Sequence, residues 1–225
     1  MAKYSDTTHK VTLFGDMFGG TEIWTTGFFL GSPSGWGLGI VPTQAEADAI
    51  QTAFGTFWGT TGVGINQNYR FLGAKVSQIN TDGTSDPANT KYSYRATPLA
   101  GPGTVVVMPP QVSLAITLQT TKSRGRGSKG RMYIPGISYN PDATGHLPST
   151  NQTAINSALK TFLDAVQGST DVPGQVVVMS AEVAGVPFKA AEMNYVQSVK
   201  TGNVYDTQRR RRNALVESYV SATLA

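Results

Sequence analysis

Residues 49–58, "AIQTAFGTFW", align without a gap with residues 154–163, "AINSALKTFL". Five of the ten positions are identical, and every apolar position stays apolar. In both segments the apolar residues recur at the i, i+3, i+4 and i+7 spacing of one helix face. The two segments predict two amphipathic helices, and their similarity suggests that the chain contains an internal duplication.

The flanking residues set the ends of these helices. Thr43 can cap a first helix over 43–58, and Glu46 stands three residues later, as in a capping box. We expect Glu46 and Asp48 on the face that points away from the apolar stripe, as first-turn acids favoured by the helix dipole. A second helix is predicted over 151–168, with Gly168 as its C-terminal cap.

Segments rich in β-branched and aromatic residues, bounded by Gly, Pro and Asn, predict the strands. They are 10–14, 21–30, 69–80, 91–97, 111–120, 131–139, 175–183 and 194–205. A turn-rich link is predicted over 14–20 and a turn over 81–90. The order strand, strand, helix, strand thus occurs twice, and "EIWTTGF" (22–28) also aligns with "RMYIPGI" (131–137).

The predicted fold is α+β and β-rich, with two pseudo-repeated β-β-α-β units forming antiparallel sheets and one helix packed on each. The repeats are 10–97 and 111–212, joined by a connector over 98–110, in a single domain spanning 1–225. The alternative is that any two amphipathic helices share Ala, Ile and Phe at these spacings.

Composition excludes several kinds of site. The chain has no cysteine, which rules out disulfides, thiolate metal ligands and cysteine nucleophiles. With two histidines, His9 and His146, a structural zinc site is not expected. No signal peptide or membrane span is indicated, and a soluble protein is expected. Charged residues make up 14%, against about 25% in typical globular domains.

Three patterns that could indicate catalysis are explained better by structure. "GRGSKG" (125–130) lies between two strands, whereas a dinucleotide loop must precede a helix. "SALK" (157–160) places its serine inside a helix, and no S-D-N motif accompanies it. His9 is expected in a mobile N-terminal segment and His146 in a loop. We therefore expect no catalytic residue, no cofactor, no metal site and no small-molecule substrate.

The basic residues are concentrated in two segments. Residues 122–131, "KSRGRGSKGR", and Arg209–Arg212 hold 9 of the 18 Lys and Arg residues, and the remainder of the chain carries 9 basic against 14 acidic residues. The candidate contact residues for a neighbouring subunit or for nucleic acid are Lys122, Arg124, Arg126, Lys129, Arg131, Arg209, Arg210, Arg211 and Arg212. A solvated hairpin tip is the alternative for the first segment.

The arginine run is followed by an apolar segment. Leu215, Val216, Tyr219 and Val220 lie in 206–225, and a purely electrostatic tail would not need them. We interpret 206–225 as a C-terminal docking segment whose arginines contact mainly protein neighbours, with genome contact as the second interpretation.

A family resemblance agrees with that interpretation. "VSLAITLQTTKSRGRGSKGRMYIPG", followed by "VKTGNVYDTQRRRRNAL", resembles small virion structural proteins of bacteriophages and related environmental viruses. The resemblance extends to "GGTEIWTTGF" near the N-terminus. It implies no enzymatic activity and no cofactor, and it implies assembly in the host cytoplasm into a virion through contacts with copies of the chain and with other virion proteins.

The role within such a particle stays open among a capsid or coat subunit, a decoration protein and a tail component. Packaged nucleic acid is a further candidate partner, and a membrane is not. Two alternatives from other classes also remain. One is a nucleic-acid-binding protein outside a shell, and the other is a small hydrolase.

Overall fold

The chain is an α+β protein rich in antiparallel β-structure. A computed structural model describes residues 7–31, 41–79, 84–103, 112–120, 129–138, 148–168 and 176–184. The strands are β1 Thr7–Met17, β2 Glu22–Gly31, β3 Tyr69–Ile79, β4 Ser85–Ala100, β5 Val112–Thr120, β6 Lys129–Ile137 and β7 Val176–Ala184. The α-helices are α1 Gln44–Trp58 and α2 Ser149–Gly168, and one turn of 3-10 helix spans Thr61–Val63.

The described strands form two sheets. The first contains four strands in the order β2-β1-β3-β4, and the second contains three in the order β6-β5-β7. All neighbouring strands are antiparallel. In the first sheet β1 lies between β2 and β3, and in the second sheet β5 lies between β6 and β7. A helix precedes β3 and β7 in the sequence.

The hairpin of β1 and β2 is longer than its sequence indicates. Residues 14–17 were predicted as part of a turn-rich link, but β1 continues to Met17 and pairs there with Glu22. The turn itself needs only Phe18–Thr21. Its residues Phe18, Gly19 and Gly20 have positive φ, a conformation that glycine adopts without steric cost.

Strand β4 also exceeds its prediction over 91–97. The turn predicted at 81–90 was wrong for residues 85–90, and the predicted connector begins inside the strand, because β4 runs from Ser85 to Ala100. Asp86 explains the turn-like composition, since its side chain accepts from the backbone N–H of Ala88 within an irregular part of the strand. Proline at both ends is tolerated because β4 is an edge strand among those described.

The helix predictions are confirmed to within two residues at each end. Thr43 caps α1, and its hydroxyl oxygen accepts a hydrogen bond from the backbone N–H of Glu46 at 3.0 Å. The predicted apolar face of α1 is buried at Ile50, Phe54 and Trp58. Helix α2 buries the corresponding stripe: Ile155, Ala158, Leu159, Phe162, Leu163 and Val166.

Aromatic side chains from both halves of the chain share one core. The ring of Phe162 on α2 lies 6.0 Å from Phe28 on β2 and 5.4 Å from Phe54 on α1, in edge-on arrangements. Trp24 and Trp58 stack with centroids 4.9 Å apart. Edge-on and stacked rings at these distances stabilise a core beyond the area that they bury.

Hydrogen bonds donated by backbone N–H groups also join the two halves. The N–H of Tyr133 on β6 donates to the hydroxyl oxygen of Thr26 on β2 at 2.8 Å. Asn66 N–H donates to the carbonyl of Gly136, and Ser138 N–H donates to the carbonyl of Gly64. The first half is therefore attached to the second through its β2 edge and through the segment that follows α1.

Candidate functional site

The structure describes two of the nine predicted basic contact residues. The backbones of Lys129 and Arg131 belong to β6, where they pair with Gln119 and Thr117 of β5. Strands β5 and β6 thus form an antiparallel pair on either side of the segment 121–128. Lys122, Arg124, Arg126 and Arg209–Arg212 lie outside the described residues, as do the predicted strand 194–205, the docking segment 206–225 and His146.

His9 and Glu46 form a buried pair that the sequence did not predict. His9 was expected in a mobile segment, but it lies in β1 with its side chain 0% exposed. Its Nδ1 is 2.6 Å from Oε1 of Glu46, whose side chain is 1% exposed. The expectation that Glu46 points away from the apolar face was therefore wrong. The same expectation for Asp48 is confirmed, because Asp48 is exposed.

The position of Glu46 at the start of α1 explains this exception. In a capping box the glutamate would turn back to the backbone N–H of the capping residue. Here the Thr43 half of the box is present, but the Glu46 carboxylate contacts the imidazole of β1 instead. The pair joins helix to sheet. It is enclosed within the core, so that it has a structural role and no access to a substrate.

A second ion pair lies across β1 and β3. Arg70 donates from Nε and Nη2 to the two carboxylate oxygens of Asp16, at 2.6 and 2.7 Å. The hydrogen bonds to Asp16 raise the pKa of Arg70. This two-point geometry orients both side chains and neutralises the arginine, so that it is not available as an anion site.

A shallow groove of about 210 Å³ separates α1 from α2. It is lined by Thr56, Phe57, Thr60, Ala154, Ser157, Ala158 and Thr161, none of which is an acid or a base at neutral pH. The serine of "SALK" is exposed here, and the ammonium of Lys160 contacts Asp164. Among its described lining residues, this groove brings together no nucleophile and general base.

The strongest candidate surface is the side of the four-stranded sheet opposite α1. Tyr92 and Tyr94 flank the buried Ser93 on β4, are 45% and 67% exposed, and have parallel rings 5.9 Å apart. Phe14 of β1 packs edge-on against Tyr94 at 5.4 Å, and the ammonium of Lys75 lies 5.7 Å from the centroid of Tyr92. We name Phe14, Lys75, Tyr92 and Tyr94 the aromatic face.

Sequence periodicity could have found part of this surface. In "KYSYR" (91–95) the tyrosines alternate with other residues, and alternate residues of a strand lie on one face. Lys75 lies between the buried Ala74 and Val76 in the same way. These side chains lie together because of the strand register, which pairs Lys75 with Tyr92. It also pairs Gly73 with both Phe14 and Tyr94. Local sequence does not specify that register.

No protein-family model, curated protein or solved structure gives a significant match to the chain. Within the parts of the chain that the structure describes, no three His, Asp or Glu side chains are grouped so that they could hold a metal ion. Over the same residues, no helix has both the length and the apolar character needed to cross a membrane.

Proposed function

We propose that the chain is a virion structural protein that assembles with copies of itself and with other virion proteins in the host cytoplasm. Its role is that of a capsid or coat subunit, a decoration protein or a tail component. It acts by forming repeated contacts, without catalysis. The basic segments 122–131 and 209–212 and the docking segment 206–225 would mediate contacts with neighbouring subunits or with packaged genome.

The proposal includes a duplicated architecture in a single domain. The shared strand orders β2-β1-β3 and β6-β5-β7, each with a helix before its third strand, support two repeats over 10–97 and 111–212. The alignment of 49–58 with 154–163 supports it independently, because those segments lie at corresponding places in α1 and α2. The single core favours one domain over two.

The observation that carries the assembly proposal is the free edge of β4. This strand has 16 residues, and no other described strand pairs with its outer side. Near its middle the carbonyl of Tyr92 accepts a hydrogen bond from the side chain of Gln44, and the remainder of this side is paired with no described strand. Long uncovered edges are templates for pairing with another chain, and sheet extension is a common mode of protein association.

Assembly can be tested at one residue of that edge. Ala96 is exposed, and the register pairs it with no residue of β3. Because Ala96 has no ladder partner on β3, Ala96→Pro should leave the fold intact while removing one backbone N–H from this unpaired part of β4. Ala96→Ser keeps that N–H and is the matched control. We expect the proline variant to assemble less than both the wild type and the control, as measured by size-exclusion chromatography with light scattering and by electron microscopy.

The arginine run gives a second test. Replacing Arg209–Arg212 with Ser should leave the chain folded and should impair assembly. The proposal would be refuted by a wild-type chain that remains monomeric at every concentration. It would also be refuted if Ala96→Pro and the serine replacement of Arg209–Arg212 both assemble normally.

A nucleic-acid-binding protein outside a shell is the second candidate, favoured by the two local concentrations of basic residues. It requires a monomer whose affinity for nucleic acid falls steeply with salt. A closed oligomer that survives nuclease treatment is the result expected of the virion protein.

A further inference from the structure

The open side of the four-stranded sheet is covered by no described helix, although its opposite side carries α1. Val11 and Leu13 of β1 are fully buried, whereas the alternating residues Lys10, Thr12 and Phe14 are less buried and lie on the open side. Thr12 and Gly73 are small neighbours of the aromatic face. Tyr92 and Tyr94 remain 45% and 67% exposed beside these small residues, so that part of each side chain is accessible to a ligand.

Among the described residues, the charge of this surface is positive. Lys10 and Lys75 both belong to the open side, and the described ion pairs involve neither of them. Asp16 also belongs to this side, but it is neutralised by Arg70. Asp48, which shares a hydrogen bond with Gln44 near the β4 edge, belongs to α1 on the other side of the sheet.

We infer that the aromatic face, together with Lys10, binds single-stranded nucleic acid. Unstacked bases would stack on Tyr94 and Tyr92, and phosphates would lie near Lys75 and Lys10. Exposed aromatic rings beside cations provide this combination of stacking and charge without sequence preference. A duplex offers no free base faces. The inference uses no residue of the basic segments 122–131 and 209–212, and it does not depend on assembly.

A second copy of the chain is the competing occupant. Tyrosine is common at protein interfaces, and a partner's acidic patch could contact the lysines. Nucleic acid is favoured because both tyrosines are exposed, Lys75 lies beside Tyr92, and the described ion pairs include neither lysine. The experiment separates the two occupants.

The test uses the unassembled full-length chain and a labelled oligothymidine of about 20 nucleotides, longer than a typical site. Tyr92→Ser and Tyr94→Ser should each weaken binding about fivefold or more, as expected for the loss of one stacked base. Tyr92→Phe and Tyr94→Phe, which keep the ring, should bind within about twofold of the wild type. A duplex of equal length should compete poorly against the wild type.

The lysine contribution has its own readout. Lys75→Gln should make the slope of log affinity against log salt less negative by about 0.7, the value for one phosphate contact on a single strand. Lys160→Gln is the matched control. It removes the same charge from α2, and the slope should not change. The tyrosine variants should likewise keep the wild-type slope, since they remove no charge.

Three results would overturn the inference. They are a wild type that does not bind the oligonucleotide, serine variants that bind as tightly as the wild type, and equal weakening for single strands and duplexes. If the serine variants bind normally but assemble less, the aromatic face is instead a contact between copies. Circular dichroism of each variant checks that the exposed substitutions preserve the fold.

Discussion

Replacing His9 with leucine should lower the free energy of unfolding by about 1–3 kcal/mol, the usual cost of leaving a buried hydrogen-bonding group without its partner. The estimate applies because both side chains are almost completely buried, and Nδ1 and Oε1 are 2.6 Å apart. The other carboxylate oxygen of Glu46 is buried without a hydrogen-bond partner. The variant would therefore leave the carboxylate desolvated and without its imidazole contact. A loss of this size is a large part of the total stability of a typical domain, about 5–15 kcal/mol.

The double variant distinguishes a coupled pair from two independent side chains. Glu46→Leu alone should cost about 1–3 kcal/mol, because the buried imidazole loses its contact with the carboxyl group. With His9→Leu and Glu46→Leu combined, stability should return to within about 1–2 kcal/mol of the wild type, since apolar side chains then replace both buried polar groups. Asp48→Leu is the control. It removes an exposed acid from the same helix turn and should change stability by about 0.5 kcal/mol or less.

Urea unfolding of the unassembled chain, followed by tryptophan fluorescence, measures these differences. Trp24 and Trp58 are stacked in the core and report its loss. The reasoning is refuted if the two single effects simply add, or if His9→Leu costs no more than the Asp48 control. If His9→Leu fails to fold, the double variant still decides the question, because coupling requires that it fold.

Three further predictions test local features of the fold. Thr43→Ala should destabilise the chain by about 1 kcal/mol through loss of the α1 cap, and Thr43→Ser should restore it, as urea unfolding would measure. Gly136→Ala should cost more than Gly19→Ala in the same assay: both glycines have positive φ, but a Cβ at Gly136 would lie 2.6 Å from the Tyr69 ring, whereas Gly19 has open space. Burial, and secondarily the charge of Glu22, raises the pKa of Tyr69 in the folded chain. Above about pH 10 the tyrosine of the unfolded chain loses its proton first, so the free energy of unfolding falls as pH rises through the raised folded pKa. Tyr69→Phe should remove this part of the loss, as urea unfolding at increasing pH would measure.

Periodicity predicted the helices well because their apolar faces are long and regular. The stripe that includes Ile50 and Phe54 could only be buried on a helix, and Thr43 marked the start of that helix. Strand ends were less predictable. The prolines and Asp86 of β4 have turn composition, but an edge strand accepts residues that a central strand would exclude.

The buried role of Glu46 could not be predicted from the sequence for a different reason. A charged residue in the first helical turn normally faces water and favours the helix dipole. The partner that makes burial possible is 37 residues away, on another element. Register across β1, β3 and β4 likewise brings Phe14, Lys75 and Tyr92 to one surface, although each local segment indicates only an alternating strand. Contacts between distant segments create both features, and local patterns do not contain that information.

The assembly proposal concerns the backbone edge of β4, and the nucleic-acid proposal concerns side chains on one face of the same strand. The two can therefore be tested separately. In a β-strand the backbone N–H and C=O groups point sideways in the plane of the sheet, whereas side chains stand perpendicular to it. Pairing along the free edge of β4 would leave the rings of Tyr92 and Tyr94 uncovered. Ala96→Pro should consequently leave the oligothymidine affinity of the unassembled chain unchanged, and Tyr94→Ser should leave assembly unchanged. If either variant changes both properties, edge and face do not act independently, and one partner covers the whole outer side of β4.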